Sequence, residues 1–441
     1  MPLESFENLR GNAYSLIGEE TCLKAEQSKM RVLQLAPRVC WPLDTGAKLR
    51  NYHLGRILSE NAHVTLLAFQ HEGEPDTLPQ NPYDQVVTVR RDQAYPFTKV
   101  LRGAVGTTPL PLLNYTTEPM KRALERLLAE NDFDLVQIES IHLLDYLPII
   151  RTARPRALIT CDWHNVESEL MRRYGEREGS TLKRGYARRT AKLMAESERR
   201  AMREFDAHLS VSKRDADQIR MLNPQALILV IENGVDATYY SDEQLAKAYS
   251  ASREGGTLPN AKRIVFVGSM DYHANVDGVV SFAREVWPRL HDRKPEFIFT
   301  IVGRDPSPAV RDLASMPGVE VTGTVDDVRP YYHEAVASIV PLKVGGGSRL
   351  KILESMAAGV PVVSTTLGAE GLNLTHNENI LIADSDEAMI AEVVRIIDDA
   401  ETRSQLINAG RELVFRQYDW STLGTSLFKN YVELLSERKT A

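Results

Sequence analysis

Hydrophobic residues in the first half of the chain form short continuous runs that alternate with longer amphipathic segments. Continuous apolar runs between helical segments are typical of a parallel sheet that is covered on both faces. The pattern therefore predicts a doubly wound α/β domain. Its strands are expected at residues 31–36, 64–69, 85–89, 134–139, 157–162, 207–212 and 226–232.

The same alternation begins again after a turn signal at Asn233-Gly234-Val235-Asp236. It predicts a second, separate doubly wound unit, followed by a last helix at 421–438. The strands of this unit are expected at 263–269, 297–303, 319–324, 337–342, 361–366 and 380–383. The predicted divisions are a polar, poorly ordered or partly helical extension (1–29), an N-terminal domain (30–235), a C-terminal domain (236–420) and a terminal helix (421–441).

Composition removes several classes of function from consideration. The 441 residues are 43% hydrophobic and 26% charged, as in ordinary globular proteins, and the net charge of −7 argues against a nucleic-acid partner. No apolar run approaches the roughly 18 residues that a membrane-spanning helix needs. Cys22, Cys40 and Cys161 show neither a pairing pattern nor metal-ligand spacing. We therefore expect reduced thiols, a cytoplasmic protein and no bound metal.

One glycine-rich stretch has the features of an anion site. It opens with four small residues, Gly345, Gly346, Gly347 and Ser348. Ser348 stands at the expected N-cap of a helix that Gly359 ends, and Arg349 and Lys351 fall in its predicted first turn. Free N–H groups and the helix dipole attract anions there, and two cations are unfavourable unless an anion neutralises them. The stretch therefore predicts a site for a ligand such as a diphosphate.

Glycines also follow other predicted strands, where the missing side chain lets a ligand approach the backbone. The residues at these strand ends are Gly46, Gly268, Ser269, Gly303 and Arg304. Together with the glycine-led helix they outline one nucleotide-sized crevice. The loop before Gly46 either contacts a phosphate, with Arg50 and His53 in the helix that follows, or is an ordinary strand-to-helix turn.

Three polar features have two interpretations each. His164 follows the strand predicted at 157–162 and either binds a sugar hydroxyl or has a structural role such as capping the next helix. Glu354 either accepts hydrogen bonds from a ribose diol or forms an exposed ion pair with Lys351. Residues 172–203 have a local net charge of +7 and are either a solvated helical face or a surface for anionic lipid or a lipid-diphosphate acceptor. The latter would make the protein peripheral at the inner face of the membrane.

Several of these motifs carry a resemblance to a known family. They are Pro42-Leu-Asp-Thr-Gly46, Val211-Ser212, Asn233-Gly-Val-Asp236, the glycine-led helix and Trp420 before the last helix. Over about residues 30–438 the chain resembles retaining glycosyltransferases of the GT-B fold, in glycosyltransferase family four, group 1. The segments 164–168, 268–277 and 345–354 look like those of sugar transferases associated with PEP-CTERM/exosortase exopolysaccharide systems.

The resemblance implies transfer of a sugar from a UDP- or GDP-linked donor, with retention and without a metal or other cofactor. The donor would bind the C-terminal domain, with Glu354 on its ribose, and a glycan or lipid-linked acceptor would bind the N-terminal domain. The last helix would cross back to the first domain. Alternatives on the same fold are a sugar-nucleotide epimerase or phosphorylase, or a non-catalytic nucleotide-sugar-binding protein.

The sequence departs from the family pattern at three places. Gly346 replaces the first of two glutamates, and Ser269 and Ala274 stand where an Arg and a Lys are common. Gln137-Ile138-Glu139 replaces a frequent His-x-His. We therefore expect Arg349 and Lys351 to supply the missing positive charge, and Glu139 and His164 to be the candidates for positioning the transferred sugar.

Overall fold

A computed structural model describes residues 29–43, 45–74, 81–91, 99, 102–103, 105–177, 179–254, 262–270, 272–344 and 349–440. The predicted extension 1–29 lies almost wholly outside these residues, and so does the glycine-led turn. The residues of that turn are Gly345, Gly346, Gly347 and Ser348.

Strands occur at all thirteen places where the hydrophobic runs predict them. They are β1 (Arg31–Ala36), β2 (His63–Gln70), β3 (Gln85–Arg90), β4 (Leu135–Glu139), β5 (Leu158–Trp163), β6 (Ala207–Ser210), β7 (Ile228–Val230), β8 (Lys262–Val267), β9 (Phe297–Val302), β10 (Val319–Gly323), β11 (Ala335–Val340), β12 (Val362–Ser364) and β13 (Leu381–Ile382). Most of their residues are buried, because each sheet is covered by helices.

The helices of the described chain connect these strands. They are α1 (Gly46–Asn61), α2 (Leu110–Tyr115), α3 (Glu118–Glu130), α4 (Leu147–Ala153), α5 (Glu167–Arg177), α6 (Thr181–Glu204), α7 (Lys213–Leu222), α8 (Asp242–Glu254), α9 (His273–Ser281), α10 (Trp287–Arg293), α11 (Pro308–Arg311), α12 (Arg329–His333), α13 (Leu350–Ala357), α14 (Asp386–Asp398), α15 (Ala400–Leu413) and α16 (Trp420–Thr440). Short 3₁₀ segments lie at Ile141–Tyr146 and Asp312–Ser315, and π-helical turns at Phe282–Val286 and Val414–Tyr418. No described helix is both long and apolar enough to cross a bilayer.

The strands form two parallel sheets with nearly the same topology, which confirms the predicted fold class. The first sheet has the order β3-β2-β1-β4-β5-β6-β7, and the second has the order β10-β9-β8-β11-β12-β13. In each sheet the order reverses beside the first strand, between β1 and β4 and between β8 and β11. Ligands of such folds bind beyond the carboxyl ends of the strands at this switch point. The fold therefore predicts ligand sites near the carboxyl ends of β4 and β8.

The terminal helix α16 crosses back from the second sheet to the first domain, as the resemblance implies. Gly424 packs so closely on Ile57 of α1 that a Cβ at this glycine would lie 2.5 Å from the Ile57 side chain. Further along α16, Tyr431 donates from its hydroxyl to Oε1 of the buried Gln137, across 2.6 Å. The helix thereby ties the two domains together.

One local prediction needs correction. The helix after the glycine-led turn begins at Leu350, so Arg349 is its N-cap residue (φ −94°, ψ 43°) and does not lie in the first turn. Lys351 does lie there, and the helix ends before Gly359, whose φ of +73° favours glycine. The basic segment 172–203 is part of two helices, α5 and α6, which pack against each other where Gly175 meets Ala187.

Candidate active site

A carboxylate and an imidazole meet at the carboxyl edge of the first sheet. Glu139, at the end of β4, is fully buried and accepts hydrogen bonds from Gln34 Nε2 (2.7 Å) and Gln137 Nε2 (2.5 Å). Its other oxygen, Oε2, lies 3.3 Å from Nε2 of His164, which follows β5. These contacts hold one carboxylate and one partly exposed imidazole at the switch point of the sheet.

Arg50, in the helix that follows the predicted phosphate loop, makes structural contacts. The guanidinium is buried and forms a bidentate pair with Asp162 at the end of β5, at 2.7 and 3.1 Å. It also donates to the backbone carbonyls of Ile231 (2.7 Å) and Glu232 (3.0 Å). Arg50 therefore connects α1 and β5 to the segment that leads into the second domain.

His53 also has a structural environment. Its ring stacks on that of Trp420, with centroids 5.4 Å apart and planes inclined by 6°. Burial lowers its pKa to about 4, so it is neutral at ordinary pH. Gly46 opens α1 as predicted, and Thr45 caps the helix with its side chain. Arg50 and His53 are thus engaged in structural contacts, and a phosphate contact by the loop before Gly46 stays a prediction.

Three potential metal ligands converge at the edge of the first sheet. Oxygens of Glu139 and Asp162 and a ring nitrogen of His164 lie within 4.8 Å of one another. The Arg50 guanidinium already neutralises Asp162, and two amide groups already donate to Glu139. A divalent cation would have to compete with these donors, so the arrangement fits a hydrogen-bond network better than a metal site.

At the carboxyl edge of the second sheet, Lys351 occupies a confined position. Its ammonium donates to Oδ1 of Asn275 (2.6 Å) and lies 4.2 Å from the centre of the Phe266 ring. A Cβ at Gly268 would lie 3.0 Å from the same ammonium, so this glycine permits the close approach. Burial, and to a smaller extent Arg349, lower the pKa of Lys351 to about 7. The exposed ion pair with Glu354 is therefore the wrong interpretation.

The residues predicted at the ends of β8 and β9 lie beside Lys351. The Nε of Arg304 donates to Oγ of Ser269 across 3.2 Å. Gly303 is so close to Gly268 that a Cβ on it would lie 1.8 Å from the Gly268 carbonyl oxygen. Any side chain at position 303 would force the two strand ends apart. The structure thus brings these four residues and Lys351 together.

Glu354, one turn after Lys351, faces Tyr240 from the segment that joins the domains. Burial raises the pKa of the Glu354 carboxyl to about 7, although Lys351 and a hydrogen bond with Tyr240 act in the opposite direction. Neither Tyr240 nor Asn275 was predicted as a site residue, although Asn275 lies in the segment 268–277 that carries part of the family resemblance. Their residue types carried no signal, and only the fold places them beside the two charged residues of α13.

A cavity of about 640 Å³ lies between the two domains. His164 lines it from the first domain and Arg349 from the second, and Arg349 also donates to the carbonyl oxygen of Leu367 (2.8 Å). An ion pair between Arg214 of α7 and Glu370 of the second domain spans the cleft and also contributes to its lining. Of the other described candidates, Glu139 belongs to the cluster at the first sheet edge, and Lys351, Glu354 and the four strand-end residues belong to the cluster at the second. Gly46 belongs to neither cluster, and none of these residues lines the cavity.

Comparisons with known proteins agree with this architecture. A family model described as "Glycosyltransferase Family 4" matches residues 46–239, and one described as "Glycosyl transferases group 1" matches residues 261–399. Glycogen synthase of Mycobacterium tuberculosis is 26% identical over 242 residues, which are 52% of this chain and 55% of that protein. The chain thus spans about half the length of the curated relatives it matches.

Solved structures share the fold over nearly the whole chain. Sucrose-phosphate synthase from Thermosynechococcus elongatus has a TM-score of 0.68 and 17% identity, covering 93% of this chain and all of that one. Anabaena HepE in complex with UDP and glucose has a TM-score of 0.62 and 14% identity, covering 91% of this chain and 99% of that one. With one family model on each domain and this shared architecture, the chain belongs to the family-four, group 1 glycosyltransferases of the GT-B fold.

Proposed function

We propose that the protein transfers a sugar from a UDP- or GDP-linked donor to a glycan or lipid-linked acceptor, with retention of configuration and without a metal. The observation that carries this proposal is the cavity between the domains, which His164 and Arg349 line from opposite sides. A donor held on one domain and an acceptor on the other would meet there, which converts their encounter into a reaction between oriented groups.

The second domain supplies the groups that suit a nucleoside diphosphate. Lys351 and Arg349 are two cations at the start of α13, where the helix N-terminus adds its own positive potential. A diphosphate leaving group stabilised by these groups needs no metal ion, because its developing charge is neutralised by the protein. Glu354 would accept hydrogen bonds from the ribose diol, and the strand ends at Gly268 and Gly303 would lie against the nucleotide.

The first domain supplies the groups that suit the transferred sugar. In this proposal Glu139 and His164 orient the sugar hydroxyls, in place of the family's frequent His-x-His. The departing phosphate takes the proton of the acceptor hydroxyl, so the protein does not need a general base. A role in exopolysaccharide or cell-surface glycan synthesis at the cytoplasmic side of the membrane would fit such an activity.

A panel of nucleotide-sugars tests the proposal. Each donor is incubated with the full chain, with and without sugar, glycan and lipid-linked acceptors, and released UDP or GDP is measured. We expect release that depends on an acceptor, and a product that retains the anomeric configuration of the donor. Turnover of the donor without an acceptor would instead identify an epimerase, and phosphate-dependent cleavage a phosphorylase. Binding without any turnover would identify a nucleotide-sugar-binding protein.

A further inference from the structure

The helices α5 and α6 form a hairpin that is both a wall of the cleft and an outer surface of the molecule. Leu170 and Tyr174 of α5 line the interdomain cavity and are each 49% exposed. On α6, Leu182 is 86% and Tyr186 40% exposed, close to the turn of the hairpin. Large apolar side chains are therefore concentrated on one projecting structure beside the cleft.

The outer face of α6 is strongly cationic. Its buried side, which includes Ala187 and Met194, packs into the first domain. The opposite side presents an exposed stripe at helical spacing, in which four cations accompany one carboxylate. The stripe consists of Arg188, Lys192, Glu196, Arg199 and Arg203. Such a surface is unusual in a chain of net charge −7. It concentrates positive potential at the hairpin.

From these features we infer that the α5–α6 hairpin docks on an anionic lipid surface and orients the molecule so that the cleft faces this surface. Cations attract the negative head groups, and the exposed Leu182 and Tyr186 suit insertion at the boundary between head groups and acyl chains. Charge complementarity decides the partner, since the rest of the acidic chain would be repelled by the same membrane. The hairpin is therefore both the anchor and the orienting element.

Docking through this hairpin also indicates the chemical class of the acceptor. Because Leu170 and Tyr174 lie on the hairpin and line the cavity, an amphipathic acceptor could keep its apolar chain in the membrane while its sugar enters the cleft. The acceptor would thus be a lipid-linked sugar presented by the bilayer. This part of the inference rests on the proposed transfer reaction, whereas the lipid-binding surface does not.

Vesicle sedimentation with the full chain tests the surface, using phosphatidylcholine vesicles with and without phosphatidylglycerol. We expect binding only to the vesicles with phosphatidylglycerol, and binding that weakens as salt is raised. The double variant Arg188→Glu/Lys192→Glu should bind about tenfold or more weakly, because each surface cation contributes to the attraction. Leu182→Ser should weaken binding severalfold at unchanged net charge.

The matched control is Arg289→Glu/Arg416→Glu, which changes the net charge equally at exposed positions of the second domain. It should bind like the unmodified protein, and equal thermal unfolding midpoints would show that all variants fold. The inference is overturned if the control loses binding equally, if both vesicles bind alike, or if neither does. The inference is also overturned if the unmodified protein binds RNA or DNA but no vesicles, and the hairpin variant loses that nucleic-acid binding. Vesicle binding without sugar transfer would refute the proposed function alone.

Discussion

The ammonium of Lys351 lies 2.6 Å from the side-chain oxygen of Asn275, whose amide nitrogen donates in turn to the carbonyl of Ser269 across 2.8 Å. The two residues are separated by 76 positions in sequence, and Asn275 belongs to α9, which follows the first strand of the second sheet. Asn275 therefore positions the cation that we assign to the donor diphosphate, and fixes it against the end of β8.

We expect Asn275→Ala to weaken UDP and GDP binding by about five- to tenfold, because Lys351 loses the hydrogen bond that orients its ammonium. Isothermal titration calorimetry measures this affinity. Asn379→Ala is the matched control, since Asn379 is also buried in the second domain but accepts its hydrogen bond from the backbone of Thr375. Equal affinities for the two variants would contradict the positioning role.

The affinity for UDP should fall as the pH rises from about 7 toward 9. The pKa of Lys351 is lowered to about 7, so the free protein loses this charge over that range. A bound diphosphate favours the ammonium form and raises its pKa, so binding above pH 7 should take up a proton. Calorimetry in buffers of different ionisation enthalpy measures the uptake.

The variants for this pH test are Lys351→Met and Lys343→Met. Lys351→Met should bind UDP weakly, with neither the pH dependence nor the proton uptake. Lys343 is exposed and paired with Glu285, so Lys343→Met should behave like the unmodified protein. A pH profile that survives in Lys351→Met would assign the titration to another group.

Glu354→Gln should cost about 1–3 kcal/mol in nucleotide affinity, because a charge-assisted hydrogen bond to the ribose is replaced by a neutral one. The effect should be larger above pH 7, where the carboxyl of Glu354 is ionised. A 2′,3′-dideoxynucleoside diphosphate should bind the unmodified protein and the variant equally. If the unmodified protein bound ribo- and dideoxynucleotides alike, Glu354 would have no ribose to hold.

Glu139→Gln should lower turnover by about 10²-fold while leaving UDP affinity unchanged, because Glu139 is placed on the transferred sugar and not on the nucleotide. His164→Gln should act in the same direction. Steady-state kinetics and nucleotide titration together measure the two effects. Glu125→Gln, at an exposed position of α3, is the control. Weaker UDP binding in Glu139→Gln would place this carboxylate elsewhere in the mechanism.

Arg50→Met should destabilise the protein by about 3–5 kcal/mol, since it leaves the carboxylate of Asp162 buried without its partner. Denaturant unfolding measures the change. Arg56→Met is the control, because Arg56 lies on the same helix in an exposed pair with Glu60, and should cost at most about 1 kcal/mol. If Arg50→Met were as stable as the unmodified protein, the buried pair with Asp162 would not have this structural role.

The strands could be predicted from the sequence because burial on both sheet faces requires continuous apolar runs, whatever the partner strands are. The run 134–139 and the observed β4 (Leu135–Glu139) show how closely such a run marks a strand. The first and last residues of each helix were harder to predict, since they depend on local hydrogen bonds. Arg349 was expected inside a helix but stands just before it.

The roles of individual side chains were harder to predict from the sequence than the strands. Arg50 lies in the helix that follows a predicted phosphate loop, but the fold encloses it with Asp162, 112 positions away. Glu354 had two interpretations, a ribose ligand and half of an exposed ion pair. Tyr240 and the packing of α13 bury its carboxyl, which argues against the exposed pair. In both cases the partner comes from a remote part of the chain, which a local pattern does not contain.

By itself, the sequence determined the two doubly wound units, the helix that begins after the glycine-led turn and the concentration of positive charge at 172–203. Each of these depends on periodicity, on turn residues or on composition, which are local properties. Only the tertiary structure decided that Glu139 meets His164, that Lys351 meets Asn275, and that His164 and Arg349 line one cavity. The order of strands in a parallel sheet brings distant residues to the same edge. Burial there shifts the pKa values of residues such as Lys351 and Glu354 and so determines whether they are charged.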